Sequence, residues 1–281
     1  MTEYEPLRFS AYNIMSGGFA SYSHEAAQLE RLDVLGEAIR ALNADVVGLI
    51  DTFRWDEIYS NYRIAGLFGY SFAHNIPLHD DRLRAIGRDN GVALLTKLPV
   101  LSVRTIRTAH RNGLLSTLQL RGGLVDLGVV YLDDQSETVR LEQIQAFVNH
   151  LTSGRPAILM GDFNTMDDEE LGRASGVIQK LTDQKLAARL WPRLAGMKKG
   201  EVIRYLRAQG FVDGAEKPAP TVPTKIIRPK FLRAPLFRLD YAWSRGDVQV
   251  TGLRVMRDTV FDRASDHYLI VFQVAFDPFS E

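Results

Sequence analysis

Residues 157–168 read AILMGDFNTMDD, from Ala157 to Asp168. Four apolar residues run straight into Gly161, Asp162, Phe163 and Asn164. A short apolar run that ends on a glycine fits a strand covered on both faces. Its end presents Asp162 and Asn164 at one place, where a rigid frame can hold reacting groups.

Working outward, the same plan occurs twice. LVDLGVVYL reads as a strand ending near Tyr131. A helix follows, with Leu141, Ile144, Phe147, Val148 and Leu151 inward, and then the PAILMG strand ending on Asp162. Asp134 and Glu137 have capping-box spacing at the start of that helix. Earlier, LRFSAYN alternates as a strand and ends at Asn13. A helix with Leu32, Leu35, Ile39 and Leu42 on one face leads to ADVVGLI, a buried strand ending on Asp51. Between the two units, DNGVALLTKLPVLSVRTIR and LLSTLQLRGG read as consecutive strands, punctuated by Gly91 and Pro99. Residues 167–209 read as helical, and Trp191 and Tyr205 fit helix packing there. TVPTKIIRPKFLRAPLF is a proline-interrupted loop, and FRLDYAWS and YLIVFQVAF are strands. Strands apolar on both faces predict an α/β fold of two mixed sheets with helices outside. No low-complexity linker divides residues 1–281, so one domain is expected.

Composition narrows the class. The 281 residues are 46% hydrophobic and 24% charged, enough for a sizeable core. Cysteine is absent, which excludes disulfides and thiolate metal sites. The 34 basic and 34 acidic residues cancel. Proteins that coat nucleic acid by general electrostatics are usually basic, so any attraction for phosphate must be local. No stretch of about 18 apolar residues occurs, so no membrane span is expected. MTEYEPLRFS lacks the features of a signal peptide, and a cytoplasmic monomer is the expectation.

Polar residues recur just after apolar strands: Asn13, Asp51, Tyr131, Asp162 with Asn164, Asp240, and Asp266 with His267. Any one of these is an ordinary turn or cap residue. Together they form a set of oxygens with one imidazole. Hard oxygen ligands suit Mg²⁺ or Mn²⁺, and one histidine without cysteine does not suit a zinc cage. Phosphoryl transfer needs a metal on the phosphate, a carboxylate to orient water and donors for developing charge.

These residues resemble the endonuclease/exonuclease/phosphatase superfamily, in motif order from Arg8 to Val274. GDFN at Gly161–Asn164, RLDYAWS at Arg238–Ser244 and SDH at Ser265–His267 carry the resemblance most strongly. AYN at Ala11–Asn13, DVVGLID at Asp45–Asp51, NGVALLTKLPV, Arg140 with Gln143, and QGFVD at Gln209–Asp213 support it. The resemblance implies a four-layer α/β/β/α sandwich of DNase I-like type and Mg²⁺-dependent hydrolysis of a phosphate ester. A phosphodiesterase or nuclease using in-line water attack is the leading expectation, with nucleic acid or nucleotide among the substrates. A phosphomonoesterase acting on inositol phosphate or lipid head groups is the alternative within the class. A weakened member that binds phosphorylated ligands or a protein partner is the alternative outside it. By position, Asn13 and Asp51 would stand at the metal, with Asp266 close to it. Asp162 would orient or deprotonate water, Asn164 would position water or phosphate, and His267 would bind the phosphate. Asp240 would hold His267 in one tautomer. Two departures stand out: Ile50-Asp51 replaces the family's Gln-Glu, and Tyr131 replaces the histidine of Thr-His-Leu.

Further candidates lie outside the motifs. Thr224–Arg238 carries Lys225, Arg228, Lys230, Arg233 and Arg238 with Phe231 and Phe237 and no acid, a local excess that suits phosphate contact or a solvated loop. Apolar Ile226, Ile227 and Leu232 add a weaker lipid-surface option. His110 and Arg111 could approach the phosphate as substrate contacts, but a surface turn is the favoured reading for both. Arg140, within a motif, is structural by the resemblance, which implies that it supports the loop before its helix. His24, His74, His79 and His150 fall in expected helix or loop segments without acidic partners at metal spacing.

Overall fold

The strand β1 (Leu7–Asn13) runs parallel to β2 (Val46–Ile50), with α1 (Leu32–Leu42) as the crossover. The computed structural model describes residues 6–19, 31–86, 89–183, 200–226, 228 and 233–276. The apolar spacing of α1 buries Leu32, Leu35, Ala38, Ile39 and Leu42 against the sheet. Each fully buried leucine or isoleucine contributes about 1.5–3 kcal/mol. Asn43, left-handed at φ 47°, closes the helix.

The second unit repeats this. β7 (Gly123–Tyr131) is parallel to β8 (Ala157–Asp162), joined by α5 (Glu137–His150). α5 begins differently from the sequence expectation. Ser136 is its N-cap, with Oγ accepting from Val139 N at 3.4 Å, and Asp133 Oδ1 accepts from Gln135 N and Ser136 N. Glu137 turns inward instead of closing a capping box with Asp134. Its carboxylate accepts from Arg140 Nε, Thr165 Oγ1 and Val202 N, which ties three segments together. Arg140 is fully buried and donates from Nη1 to Asp133 O, so it supports the loop before the helix as expected.

Other strands complete two six-stranded sheets. The first has the order β11-β12-β1-β2-β4-β3, with β3 (Phe72–Pro77), β4 (Gly91–Thr96), β11 (Val248–Val255) and β12 (Ile270–Phe276). The second has the order β5-β6-β7-β8-β10-β9, with β5 (Val100–Thr108), β6 (Arg111–Leu120), β9 (Val212–Asp213) and β10 (Asp240–Arg245). β4 and β5 are successive in the chain but lie in different sheets: β4 pairs with β2 and β3, whereas β5 pairs with β6. The second sheet is thus built from one uninterrupted stretch, and the first from the stretches on either side of it.

Three apolar clusters define the layers. One lies between the sheets and mixes Phe9, Ala11 and Val92 of the first with Leu127, Met160 and Ala242 of the second. A second packs α1 and α3 (Asn61–Phe68) on the outer face of the first sheet, together with the short α2 (Trp55–Ile58); the short α4 (Asp81–Arg84) lies between β3 and β4. A third packs α5 and the helix Glu201–Ala208 on the outer face of the second. This is the four-layer α/β/β/α sandwich. The expected helical region contains the helices Asp168–Asp183 and Glu201–Ala208. Trp191 lies outside the described residues, and Tyr205 packs against the third cluster. Among the described residues no helix is long and apolar enough to cross a membrane.

Away from the strand ends that carry the site, Asp126 is fully buried on β7. It accepts from Thr117 Oγ1 (2.9 Å), Thr152 N (2.7 Å) and Arg155 Nη1 (2.9 Å). Burial alone would raise its pKa, but the bonds from Thr152, Arg155 and Thr117 outweigh it and hold the carboxyl below its ordinary value. A carboxyl lowered on folding stabilises the protein above its unfolded pKa, and that stability is lost as pH falls through the folded value. Asp126→Asn is therefore expected to lower the melting temperature at pH 7. Its further decline below about pH 4 should be flatter than the wild type's. Thermal melts from pH 7 to pH 3 check this; parallel declines would contradict it.

Candidate active site

Strand alternation explains why polar groups meet. Phe9, Ala11, Leu127, Val129, Ile158, Met160 and Ala242 face the core between the sheets. Side chains two residues apart share a face, so Tyr131, Asp162 and Asp240 of the second sheet and Asn13 of the first all point into the space between the sheets. The register sets Tyr131 beside Asp162 and Asp162 beside Asp240 across three neighbouring strands. His267 reaches the group from the first sheet, three residues before β12.

The contacts are short. Asn13 Nδ2 donates to Asp162 Oδ2 (3.0 Å), and Asn164 N donates to Asp162 Oδ1 (3.0 Å). Asn164, left-handed at φ 49°, donates from Nδ2 to Leu132 O (3.1 Å). His267 Nδ1 lies 2.9 Å from Asp240 Oδ2, and its Nε2 lies 3.8 Å from Asp162 Oδ2. With Nδ1 as the donor to Asp240, Nε2 faces Asp162. Asp162, Asp240 and His267 are all buried. Among the described residues, Asp240 Oδ1 is a buried oxygen without a hydrogen bond.

The electrostatics follow from that burial. Desolvation is the largest influence on Asp162 and raises its carboxyl to about 7; His267 opposes the rise and Asp240 adds to it. At His267 desolvation pulls the pKa down, but Asp240 and Asp162 outweigh it and raise the imidazole to about 10. Each carboxylate favours the imidazolium between them.

Two other strand-end residues are neighbours of this group in the sheet or the chain: Ile50 pairs with Asn13, so Asp51 follows the end of β2 there, and Asp266 directly precedes His267. Asp51 is left-handed at φ 63°, and its Oδ2 accepts from Ser16 N (2.9 Å). Asp266 is half-buried; its Oδ1 lies 3.2 Å from Ser265 Oγ, and its carbonyl accepts from Thr224 N. Ser265 Oγ donates to Asn13 O (2.6 Å), joining the SDH loop to the end of β1.

Sequence reasoning missed Arg31. Its guanidinium donates to the carbonyls of Ile14 (3.1 Å), Met15 (2.5 Å), Phe19 (2.6 Å) and Ala264 (2.7 Å). It staples the loop after Asn13 to the segment before Ser265. Nothing local marks such a residue, because the carbonyls it serves come from two distant parts of the chain.

The remaining candidates separate. His110 is exposed at the β5–β6 turn with φ 60°, as a surface turn requires. Arg111 is 2% exposed and paired with Asp80 at 2.6 Å, so the surface-turn reading fails for it. The basic stretch is partly neutralised within the molecule. Lys225 pairs with Asp262, and buried Arg238 pairs with Asp213 and Glu170. Arg228 is half-buried and hydrogen-bonds Tyr268, while Arg233 is exposed. Lys230, Phe231, Ile227 and Leu232 lie outside the described residues, as does His24. His74 lies on a strand, β3, and not in a helix or loop. His79 has an acidic partner, Asp89 at 3.0 Å. His150 caps its own helix through Ala146 O.

The family model of the Endonuclease/Exonuclease/phosphatase family matches residues 11–267. The chain belongs to this family. Solved structures similar to this family member include an endonuclease/exonuclease/phosphatase from Beutenbergia cavernae, at 17% identity and TM-score 0.70, covering 97% of this chain and 72% of that one. The human nocturnin catalytic domain with bound sulfate has 15% identity and TM-score 0.63, covering 96% and 93%. A mannosyl-6-phosphatase from Bacteroides thetaiotaomicron has 14% identity and TM-score 0.62, covering 96% and 100%. At these identities the likeness establishes the fold. Comparison with curated proteins finds no match. Members of the endonuclease/exonuclease/phosphatase family are generally phosphoester hydrolases. In this one, Asp162, Asp240 and His267 each offer a ligand atom, and the three atoms lie within 4.8 Å of one another, a spacing that could hold a metal ion.

Proposed function

We propose that the protein is a divalent-metal-dependent phosphodiesterase that attacks phosphorus directly with water. The observation that carries this is the meeting of two hydrogen-bonded pairs from two sheets, Asn13 with Asp162 and Asp240 with His267, joined by a 3.8 Å imidazole–carboxylate contact. Asp162, held by two donors, takes the proton of the attacking water as the new P–O bond forms in line with the bond that breaks. Asn164 positions that water or a phosphate oxygen. His267, oriented by Asp240, donates from Nε2 to the phosphate as charge builds. Tyr131 offers a phenol beside the same phosphate.

The donor chemistry fits a hard cation. Asn13, Asp51 and Asp266 carry oxygens at the ends of β1 and β2 and in the SDH loop, and, among the described residues, Asp240 Oδ1 is a buried oxygen without a hydrogen bond. We assign Asn13, Asp51 and Asp266 as the residues that hold Mg²⁺ or Mn²⁺. Such an ion, when bound, neutralises the non-bridging oxygens and eases departure of the leaving oxygen.

The reading is tested by a Mn²⁺-supplemented screen over phosphodiesters and phosphomonoesters, with Asp162→Ala as the blank. Hydrolysis of a diester above that blank supports it. No hydrolysis of any ester would favour a protein that keeps the fold and binds phosphorylated ligands. Preference for monoesters would move the substrate toward sugar or inositol phosphates, a direction that the likeness to a mannosyl-6-phosphatase supports.

Asp51 bears on the same question, because it is one methylene shorter than the family's glutamate. Asp51→Glu is expected to tighten Mn²⁺ binding by roughly tenfold, the low end of what a change around a metal does. Isothermal titration with Mn²⁺ reads this directly; unchanged or weaker binding would remove Asp51 from the metal.

A further inference from the structure

Arg111 opens β6 and is buried, and a buried guanidinium is costly unless its donors are satisfied. Its Nε donates to Asp80 Oδ2 at 2.6 Å, which would satisfy a purely structural ion pair. The rest of the fork goes elsewhere. Nη1 donates to the carbonyls of Tyr131 (3.2 Å) and Leu132 (3.0 Å), and the guanidinium carbon lies 5.1 Å from the centre of the Tyr131 ring. Leu132 O is also the acceptor of Asn164 Nδ2 (3.1 Å), and Leu132 N donates to Asp162 O (3.0 Å). One arginine therefore touches the ring of Tyr131 and the carbonyl on which the Asn164 carboxamide is docked. A lysine could replace the charge beside Asp80 but not the planar fork.

We propose that Arg111 is a positioning residue for the hydrolysis. It holds the Tyr131 ring by its face and the Asn164 carboxamide through the shared Leu132 carbonyl. This rests on the phosphate-ester reading above. It also makes Arg111 a residue that shapes turnover and not one that contacts substrate.

The test uses Arg111→Lys, with bis(4-nitrophenyl) phosphate and Mn²⁺ as the probe, in wild-type and Asn164→Ala backgrounds. In the wild-type background kcat should fall about 10- to 100-fold with KM close to unchanged, as for groups that orient a reacting residue. In the Asn164→Ala background the further loss should shrink to about threefold or less, because the two changes share one route. A raised KM with unchanged kcat would make Arg111 a substrate contact and overturn the proposal. Equal losses in both backgrounds would overturn it too. If Arg111→Lys does not fold, Asp80→Asn keeps the guanidinium but loosens its anchor, and the same two readouts apply. A second arm needs no turnover: 3-fluorotyrosine placed at position 131. Its ¹⁹F resonance should shift in Arg111→Lys, and an unmoved resonance would sink the clamp. If wild type cleaves no ester, the hydrolase reading fails by itself, and the fluorine signal still decides whether Arg111 holds Tyr131.

Discussion

Asp162→Asn is expected to abolish most turnover while leaving the protein folded. The substitution keeps the size of the side chain but reverses its hydrogen bonding. Asp162 now accepts from Asn13 Nδ2 and from Asn164 N. An asparagine has one acceptor oxygen, so its NH₂ group must face one of these donors. It also loses the ability to take a proton from water and the charge that favours imidazolium at His267. Loss of a positioned base costs about 10²–10⁴ in rate. His267→Ala should cost about 10²–10³, the range for one donor to developing negative charge. Stability should hardly move. Burial raises the Asp162 carboxyl, which means that the folded protein bears a cost for keeping it charged. Relief of that cost offsets the buried donor left facing the new NH₂ group, so the melting temperature of Asp162→Asn should stay close to that of wild type. Measured kcat on a diester, with circular dichroism melts of the same samples, checks both parts. Full activity in Asp162→Asn would defeat the assignment.

The second large effect is expected at Gly161. It has φ 139°, and a Cβ placed there would lie 2.1 Å from Val130 O and 3.0 Å from Val130 C and N. Val130 is the register partner of Gly161 on β7. The clash would thus push apart the two strands that set Tyr131 beside Asp162. Backbone strain and overpacking each cost about 1–3 kcal/mol, so Gly161→Ala should lose about 2–6 kcal/mol. At about 2–4 °C per kcal/mol for a chain of this size or somewhat smaller, the melting temperature falls by several degrees or more. Turnover should fall with it. Gly172 lies in the helix Asp168–Asp183 with no atom within 4 Å of an added Cβ. Gly172→Ala should be neutral or gain about 0.5–1 kcal/mol. Similar melting temperatures for the two variants would contradict the explanation of the glycine in GDFN.

These two cases show why the site was legible in the sequence. Each polar residue follows a run of apolar residues, and strand alternation then fixes the side to which it points. GDFN, LDY and SDH mark three of the strand ends directly. The supports were not legible. Arg31, Arg111 and Glu137 act on groups far away in the chain: Arg31 on Ala264, Arg111 on Tyr131 and Asp80, Glu137 on Thr165 and Val202. Their meaning depends on tertiary contacts that local pattern does not encode. The same is true of the β4–β5 junction, where the turn signals are those of a hairpin but the strands part into different sheets. β3 escapes a period-two reading because it is an edge strand that ends on Pro77 and alternates poorly. β11 shifts register between Thr251 and Arg254, which breaks its alternation as well.

The order of the strands also dictates when this molecule can work. During translation the stretch that forms the second sheet emerges whole and can pair internally. Its inner apolar face then meets only four of the six strands of its partner, since β11 and β12 are still inside the ribosome. The imidazole that faces Asp162 arrives with the same late segment. A nascent chain stopped short of it would carry an uncovered greasy surface and a carboxylate pair with no cation between them. Completion of the wall and arming of the pocket are, for this polypeptide, one event.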